Sequence, residues 1–375
     1  MADYFLPGGM ALDPDLPFWI ALNKVPGIGP KRFGQLIQCF GSARAAWEAS
    51  PEALAAAGIG PRAAETLVEA RRRIAPEEEM ARVVREGVGV LALYLPGYPR
   101  LLAKIPDPPP VLFVRGKIGP EDEAAVAVVG TRNPTPTGRF TAERLAGDLA
   151  RQGVTIVSGM ARGIDTAAHR GALEAGGRTI AVLGSGLDVV YPPENLGLYE
   201  EIAAGRGAVV SEFPLGTDPL PMNFPARNRV ISGLSLGVVV IEAASDSGSL
   251  ITAGHAAEQG REVFAVPGPV ELELSRGPNR LIKQGAKLVE GARDILEELS
   301  LPLLSATEVA ATREAADLTP EEERILGILT HEPRHVDLIV RESGLASGTV
   351  GATLVILEMK GLVREWPGGL FARVR

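Results

Sequence analysis

The sequence predicts an α/β fold, in which a doubly wound, mainly parallel sheet is flanked by a small helical N-terminal domain and a C-terminal winged-helix domain. Two patterns predict this architecture. Between about residues 121 and 299, short apolar runs alternate with helical patterns, which is typical of a parallel sheet covered by helices on both faces. From about residue 318, helical patterns precede a hairpin pattern, and three helices followed by such a wing make a winged helix.

These patterns divide the chain of 375 residues into five segments. A chain of this length is expected to hold two or three domains, at about 150 residues per domain. The middle of the N-terminal half is rich in proline, and its run VLFVRG is the best candidate there for a strand. We predict a helical domain at 1–75, a connector at 76–120, the α/β domain at 121–299, a linker at 300–317 and the winged helix at 318–375.

Composition excludes several classes of protein. The chain has no run of 18 apolar residues, which a membrane helix requires, and its first residues lack the layout of a signal peptide. The single cysteine, Cys39, excludes an internal disulfide and fits the reducing cytoplasm, where we expect the protein. Because one cysteine and four histidines offer few soft ligands, we expect neither a metal nor a cofactor. The net charge of -8 argues against indiscriminate binding to nucleic acid but allows a local basic patch.

The N-terminal segment contains a repeated turn. Gly-Ile-Gly-Pro occurs at residues 27–30 and 58–61, in each case before a basic residue and between helical patterns. Such turns resemble the helix-hairpin-helix motif, whose backbone amides can hold a DNA phosphate. The alternative is a tight packing turn in which glycine permits a positive φ, and the sequence leaves both roles open. A secondary DNA contact here would involve Gly27, Gly29, Lys31, Gly58, Gly60 and Arg62.

The C-terminal segment gives a weak electrostatic case for DNA binding. Its first helix has a good start, with Thr319 as N-cap before a proline and acidic residues. The third helix, from Ser347 to Met359, would read DNA in a winged helix, yet it contains no basic residue. Because phosphate binding depends on lysine and arginine, we favour a protein-contact or architectural role for this segment.

Glycine, serine and arginine recur where the predicted strands of the α/β domain end. In a doubly wound sheet, ligands bind at the carboxyl ends of the strands, and a helix N-terminus there offers free amides to an anion. Glycine also lets a ligand approach the backbone closely. The pattern therefore predicts an anion site along this edge. Its residues are Gly130, Thr131 and Arg132 after the first strand, Ser158, Gly159 and Arg162 after the second, Gly184, Ser185 and Gly186 after the third, and Ser247, Gly248 and Ser249 after the fifth.

A basic segment before the fifth strand adds to this site. Arg227 and Arg229 flank Asn228 in the run NFPARNR, and arginine carries a planar fork that suits phosphates and stacks on bases. Phe224 is the only aromatic residue within these motifs, with Tyr191 as a weaker second, and a base could stack on either ring. Core packing is the alternative role for Phe224.

Known nucleotide-binding motifs do not account for the site. The chain has no Gly-x4-Gly-Lys-Ser/Thr loop. Its nearest dinucleotide fingerprint begins at Gly184, after the third strand, and fails because Val189 holds the position of the third glycine.

Four carboxylates lie near the predicted strand ends, and their role is open. They could act as acid–base groups, or they could orient the arginines through salt bridges. The two histidines of this segment sit in helical patterns and are expected to be packed or capping, so we predict no catalytic residue. The carboxylates are Asp165, Asp188, Glu212 and Glu242.

Together these motifs resemble the DprA/Smf family, the DNA-processing proteins of bacterial transformation. The resemblance covers nearly the whole α/β segment, and the flanking segments fit members with a helical N-terminal and a winged-helix C-terminal domain. It implies a Rossmann-like core that binds single-stranded DNA without sequence preference. It also implies a homodimer that interacts with RecA and loads it onto strands, displacing single-stranded-DNA-binding protein. The matching runs are GTRNPTPTGR, SGMARGIDTAAH, VLGSGLDVVYPPENLGL, SEFPLGTDPLPMNFPARNRVISGLS, EAASDSGSLITAGHAAEQGREVFAVPG and GPNRLIKQGAKLV.

The family's signatures can be placed on this chain residue by residue. Phe-Pro-x-Arg-Asn-Arg is intact at residues 224–229, and Ser-Gly-Ser-Leu-Ile-Thr is intact at residues 247–252. Arg132 matches the family's arginine after the first strand, in Gly-Thr-Arg where the family commonly has Gly-Ser-Arg. Some relatives carry a lysine near the position of Leu220, so that contact is absent here.

Two other functions compete with this one. A related class of Rossmann-like enzymes hydrolyses nucleotide 5′-monophosphates and uses a Pro-Gly-Gly-x-Gly-Thr-x-x-Glu loop. The corresponding run here, SDSGSLITAGHAAE, lacks that loop but keeps a downstream acid, Glu258. The other alternative is a scaffold with no affinity for nucleic acid.

Overall fold

The computed structural model describes residues 13–302, 319–330, 333–359, 362–366 and 368–373. They fall into two compact units, one within residues 1–303 and one within 304–375. Residues 303–317 of the predicted linker at 300–317 lie outside the described residues. Residues 1–12 of the predicted N-terminal domain also lie outside them.

Five short helices form the N-terminal part of the first unit. Four of them have a proline in the first turn, where its missing N–H removes no hydrogen bond. The predicted turns precede two of these helices, and Gly27 and Gly58 adopt φ values of 83° and 78°, which favour glycine. The helices are α1 (Leu16–Asn23), α2 (Pro30–Phe40), α3 (Ala43–Glu48), α4 (Pro51–Ala56) and α5 (Pro61–Ala70).

A nine-stranded sheet forms the centre of this unit, with the strands in the order β1-β2-β6-β5-β4-β3-β7-β8-β9. All neighbouring pairs from β6 to β9 are parallel, whereas β2 pairs antiparallel with both β1 and β6. The strands are β1 (Gly89–Ala92), β2 (Val111–Gly116), β3 (Ala125–Val129), β4 (Thr155–Ser158), β5 (Thr179–Val182), β6 (Gly207–Ser211), β7 (Gly237–Val240), β8 (Glu262–Ala265) and β9 (Lys287–Leu288).

The segment predicted as a connector supplies one edge of this sheet. Residues 76–120 contain a helix and both antiparallel strands, and the whole of β2 pairs with β1 or β6. VLFVRG is indeed a strand. The segment therefore packs as part of the α/β layer and extends the parallel sheet by two strands.

Helices cover both faces of the sheet. Val126 and Val128 of β3 face one apolar cluster with α7, α8 and α13, while Ala127 and Val129 face the other, which also holds the N-terminal helices. This alternation follows from the two-residue period of a strand. The helices are α6 (Pro76–Arg85), α7 (Pro136–Arg151), α8 (Ile164–Glu174), α9 (Leu196–Glu201), α10 (Asn223–Gly233), α11 (Ser249–Glu258), α12 (Glu273–Lys283) and α13 (Ala292–Glu298).

The second unit has the predicted winged-helix elements. Thr319 caps the first helix, and its side chain accepts from the Glu322 amide in a capping box. The third helix exposes Val355 and Ile356 and carries no basic residue. The elements are α14 (Pro320–Ile328), β10 (Arg334–His335), α15 (Val336–Ser343), α16 (Ser347–Met359), β11 (Val363–Trp366) and β12 (Leu370–Arg373).

The predicted fold class is confirmed: a mostly parallel α/β sheet lies with an N-terminal helical part in one unit, and a winged helix forms the other. Within the ranges that the structure describes, no helix combines the length and apolar character needed to cross a membrane.

Candidate functional site

An open pocket lies at the carboxyl ends of strands β3, β4 and β7, the edge where the sequence predicts an anion site. We call it the carboxyl-edge pocket; its volume is about 600 Å³. The loops after these strands line it, together with helix α10 and the first turn of α11. The predicted contact residues that line it are Gly130, Thr131, Arg132, Phe224, Arg227, Asn228, Ser247, Gly248 and Ser249.

Arginines and aromatic rings are stacked along this pocket. The Arg132 and Arg227 guanidinium carbons lie 5.4 and 5.9 Å from the centre of the Phe224 ring. The Tyr191 ring centre lies 5.7 Å from that of Phe224, and the guanidinium of Arg162 is placed over Tyr191 at 5.9 Å. Both rings are half-buried and Arg132 is exposed. The arrangement offers aromatic surface beside positive charge.

Gly184 allows the Phe224 ring to sit this close to the sheet. A Cβ atom at position 184 would lie 2.9 Å from Cδ1 of Phe224, a distance at which one of the two groups must move. Glycine after β5 thus supports the stacked ring and does not itself line the carboxyl-edge pocket. The glycine at the end of β5 therefore leaves room for the side chain of Phe224.

Arg227 is a buried cation beneath the pocket. Its side chain donates to the Gly159 carbonyl at 2.7 Å and to the Val182 carbonyl, which are at the ends of β4 and β5. Burial lowers the pKa of its guanidinium to about 10, against the effect of nearby Asp165. The group therefore stays charged at neutral pH and holds two strand ends together.

Asp165 is the buried counterpart of this cation. Its Oδ2 accepts from the Gly159 and Ala161 amides at 3.1 and 3.3 Å, which fixes the loop after β4. Burial raises the pKa of the Asp165 carboxyl to about 6, and Arg227 opposes the rise. A Cβ at Gly159 would lie 2.6 Å from Asp165 Oδ2 and 2.7 Å from Arg227 Nη2, so only glycine fits between the two charged groups.

One turn further along α8, His169 is buried in its neutral form. Its Nδ1 lies 2.7 Å from Thr179 Oγ1, which itself donates to the Ile156 carbonyl, so Nδ1 must be the donor to Thr179. Burial, with a smaller effect of Arg227, lowers the pKa of His169 to about 3. This histidine is packed, as its helical position suggested.

Replacing Asp165 with asparagine should make the protein acid-sensitive between pH 6 and 4. The pKa of His169 falls from 6.5 to about 3 on folding, so its contribution to stability is lost as the pH falls below 6.5. The pKa of Asp165 rises from 3.8 to about 6, so its contribution grows as the pH falls through the same range. The two effects offset each other in the unmodified chain.

Asp165→Asn removes one of them while keeping an acceptor oxygen for the Gly159 amide. Relative to the unmodified protein, its free energy of unfolding should fall by about 1 kcal/mol between pH 6 and 5, because the Asp165 carboxyl with its pKa of about 6 becomes protonated across this interval. Urea titrations of both proteins at several pH values measure this difference. A difference that is independent of pH would contradict the assignment of these two pKa values.

Arg229 has a different environment from Arg227. Its guanidinium is buried, lies 2.7 Å from Glu212 Oε2 and 2.8 Å from Asp107 Oδ2, and is not among the groups lining the pocket. The geometry makes it a structural link between α10 and the loops that carry the two carboxylates. The sequence predicts a ligand contact for both arginines, but only Arg227 is among the residues that line the pocket.

The other predicted carboxylates also accept hydrogen bonds from backbone amides or from side chains such as arginine. Asp188 accepts from Arg82 Nη2 at 2.9 Å and from the Gly216 amide at 2.7 Å. Glu242 accepts from the amide and hydroxyl of Thr135 at the start of α7, and binds no arginine among the described contacts. Of the two roles left open by the sequence, orientation of arginine therefore fits Glu212 and Asp188, whereas Glu242 caps a helix.

The first turn of α11 also lines the pocket. Ser247 and Ser249 hydroxyls lie 2.8 Å apart in front of the helix, and Asn228 donates to the Gly248 carbonyl at 3.2 Å, which ties the turn to α10. This helix has ten residues, and its N-terminus carries the partial positive charge of the helix dipole. An anion in the pocket would therefore find both this turn and Arg132 among the groups that line it.

Three predicted residues beneath this edge serve the backbone. Ser158 donates to the Val128 carbonyl and Ser185 to the Val189 carbonyl, both at 2.7 Å, and the Gly186 amide donates to Thr217. Arg162 is exposed on the rim, where it pairs with Glu194.

The repeated turns belong to the N-terminal helices: Gly29 and Gly60 are N-caps, and Lys31 and Arg62 are exposed. Neither turn lines the carboxyl-edge pocket.

Sequence reasoning did not single out two features of the pocket. Asp246, an exposed acid two residues before Gly248, lines it beside the α11 turn, although the run SDSGS made it visible. Pro219 and Pro221 form another part of its wall. The order of residues gave no signal for these prolines, because their loop reaches the pocket only through the fold.

Comparisons with known proteins match three parts of the chain. A family model for DNA recombination-mediator protein A matches residues 90–300. Models for a DprA winged-helix domain and a DprA-like N-terminal HHH domain match residues 309–369 and 15–76. Protein Smf of Synechocystis sp. is 38% identical over 391 residues, which cover 95% of this chain and 98% of that protein. The DNA processing protein DprA of Bacillus subtilis is 44% identical over 221 residues, covering 59% and 74%.

Two solved structures are also similar. The X-ray structure of DNA processing protein A from Streptococcus pneumoniae matches with a TM-score of 0.67 and 35% identity, covering 79% of this chain and 100% of that one. The protein from Helicobacter pylori, whose structure was described for its single-stranded DNA binding mode, matches with a TM-score of 0.51 and 32% identity. That match covers 57% of this chain and 95% of the other.

Proposed function

This chain belongs to the DNA recombination-mediator protein A family, also called DprA or Smf, and from that premise we propose that it binds single-stranded DNA in the carboxyl-edge pocket. The observation that carries the proposal is that the stack of Arg132, Phe224 and Arg227 lines one open pocket together with the first turn of α11. It places an aromatic face and positive charge around one cavity.

The chemistry of this pocket suits a strand with unpaired bases. Arg132 and the α11 turn take phosphates, because the guanidinium and the Ser247–Ser249 hydroxyl pair offer donors and both places carry positive potential. Phe224 and Tyr191 take the face of a base, and such stacking tolerates any sequence because every base has a π face. In a duplex each base face is covered by its neighbours, so these contacts favour a single strand.

Arg132→Ala should weaken binding to single-stranded DNA and reduce the salt dependence by about one phosphate equivalent, since one counterion fewer is released. Arg132→Lys should restore only part of the affinity, because a point charge replaces a planar fork. Fluorescence anisotropy of a labelled oligonucleotide at several salt concentrations measures both quantities.

Arg100→Ala is the matched control for this variant. Arg100 is an exposed arginine at the amino ends of the parallel strands, beside Ile180 and Leu236, so it lies at the opposite edge of the sheet. Removing Arg100 changes the net charge by the same amount as removing Arg132, and it should leave the salt dependence of DNA binding unchanged. Equal slopes for Arg132→Ala and the unmodified protein would remove Arg132 from the interface.

Asp246→Asn should increase affinity for single-stranded DNA by about threefold at low salt. Its exposed carboxylate lines the pocket beside the α11 turn, where it opposes an approaching phosphate. The gain should disappear at high salt, because exposed charges are screened. The same titration series measures it, and an unchanged or lower affinity at low salt would place the phosphates elsewhere.

We propose further that the protein performs no covalent chemistry on the strand. Asp165 is buried and engaged with the backbone, while Glu258, the downstream acid that the hydrolase alternative would use, lies at the far end of α11 from the pocket. Incubation with nucleotide 5′-monophosphates should release no free base, and incubation with DNA should cause no nicking. Release of base that Asp246→Asn or Asp165→Asn abolishes would favour the hydrolase alternative.

The proposed biological role is to protect incoming strands and load RecA onto them. A homodimer presents two pockets, so one strand can be held at two points, and this raises the effective concentration of strand for filament nucleation. RecA, a second copy of this chain and single-stranded-DNA-binding protein are the proposed partners. Filament nucleation on strands coated with single-stranded-DNA-binding protein should become faster when this protein is added, and should not do so with Arg132→Ala.

A further inference from the structure

The wall of the carboxyl-edge pocket that contains Pro219 and Pro221 belongs to a loop that helices α1 and α6 hold. We call residues 212–222 the pocket loop. It leaves the end of β6, passes the pocket and runs into α10, which carries Phe224. Its position therefore determines both a wall of the pocket and the start of the helix that carries the stacked ring.

The first contact lies where the pocket loop begins. Asn23, the last residue of α1, donates from Nδ2 to the Glu212 carbonyl at 3.0 Å. The Glu212 carboxylate on the same residue binds the buried guanidinium of Arg229 on α10. One residue of the loop is thus held by the N-terminal helices through its backbone and by α10 through its side chain.

The second contact lies midway along the loop. Arg82 on α6 donates to one oxygen of Asp188 at 2.9 Å, and the other oxygen accepts from the Gly216 amide at 2.7 Å. Asp188 therefore bridges α6 and the pocket loop. At Gly216, a Cβ would lie 3.2 Å from Arg82 Nη2, so the arginine also lies directly against the loop backbone.

The two helices that supply these contacts are themselves fixed. Lys24 at the end of α1 pairs with Glu79 on α6, and both helices contribute to the apolar cluster that includes Leu215 of the pocket loop. Neither Asn23 nor Arg82 lines the carboxyl-edge pocket. They can influence a ligand there only through the loop.

We propose that Asn23 and Arg82 are positioning residues for the strand-binding pocket, so that helices α1 and α6 set the affinity for single-stranded DNA without touching the strand. This inference rests on the proposed function, since it concerns the same pocket. Fixing the loop before the strand arrives removes an ordering step from binding, and the affinity rises by that amount.

The test compares the full chain with Asn23→Ala/Arg82→Ala. Each contact lies in a partly exposed environment. Losing both contacts in the double variant should therefore lower the affinity for a single-stranded oligonucleotide by about five- to tenfold. The salt slope should stay that of the unmodified protein, because no phosphate contact is lost. Arg82→Lys, which keeps a cation beside Asp188, should regain most of the affinity lost in Arg82→Ala.

Arg85→Ala is the control, because Arg85 is an exposed arginine on the same helix and its loss changes the net charge equally. Hydrogen exchange of the free protein gives a readout without DNA: amides of residues 216–222 should exchange faster in the double variant and in Asp188→Asn, but not in Arg85→Ala. Unchanged affinity or unchanged exchange in the double variant would overturn the proposal, and a salt slope lowered by about one would turn Arg82 into a direct contact.

Failure of this inference can be distinguished from failure of the proposed function. If the unmodified chain binds no single strand, the proposed function fails, and with it the claim about affinity. Exchange at residues 216–222 then still decides whether Asn23 and Arg82 hold the loop.

Discussion

Replacing Arg227 with methionine should lower the free energy of unfolding by about 3–5 kcal/mol, the range measured when one partner of a buried charge pair is removed. Methionine has similar length but cannot donate to the Gly159 and Val182 carbonyls, so the ends of β4 and β5 lose their shared donor. The variant also leaves Asp165 buried without the nearby cation that lowers its pKa, so that carboxyl should be neutral at pH 7.

Urea denaturation at low temperature, where the variant is still folded, measures this loss. Arg100→Met at the opposite edge of the sheet serves as control and should change stability by less than about 0.5 kcal/mol, as exposed substitutions usually do. A loss below about 1 kcal/mol in Arg227→Met would show that the buried guanidinium does not hold the strand ends. The account of the pocket floor would then be wrong.

Replacing Phe224 with alanine should weaken binding to single-stranded DNA by about ten- to hundredfold, in line with about 1–3 kcal/mol per stacked base. The half-buried ring lines the pocket, with the guanidinium carbons of Arg132 and Arg227 5.4 and 5.9 Å from its centre, so its solvent-accessible part is within reach of a base. Tyr191→Ala should have a smaller effect, because Tyr191 lies 5.7 Å further along the stack.

Phe224→Leu separates stacking from core packing, the two roles that the sequence left open for this residue. Leucine fills much of the space above Gly184 and keeps the packing, but it has no π face for a base. If the leucine variant binds like alanine and is as stable as the unmodified chain, Phe224 acts by stacking. If the leucine variant binds single-stranded DNA as tightly as the unmodified chain does, the Phe224 ring acts by packing in the core, and the proposed contact with a base is wrong.

Local patterns were sufficient to predict most of the sheet. The apolar runs before Gly130 and after Leu236 become β3 and β7, because a strand buried on both faces needs a continuous apolar run. Patterns did not reveal that β1 and β2 extend the sheet beyond β6, or that β2 pairs antiparallel with both β6 and β1. Such pairing joins residues far apart in the chain, and nothing within either strand specifies its partner.

The sequence predicted which residue types gather at this edge of the sheet, but not the directions in which their side chains point. Arg227 and Arg229 look equivalent in the run NFPARNR, yet they are two residues apart on a helix, which places them on nearly opposite faces. One therefore faces the pocket floor and the other faces Glu212 and Asp107. A helix starting at Asn223 would have predicted this difference, but no helix was assigned to this run from the sequence.

Crosslinking tests the central claim, that a single strand binds in the carboxyl-edge pocket with a base on the aromatic stack, most directly. A single-stranded oligonucleotide containing 5-bromodeoxyuridine is bound to the full chain and irradiated, and the modified peptides are identified by mass spectrometry. The account predicts adducts on Phe224 or Tyr191, which decrease when an unlabelled single strand competes and persist when an unlabelled duplex is added. Adducts found only among residues 27–62 or 319–373 would contradict it and place the main site in the repeated turns or the winged helix.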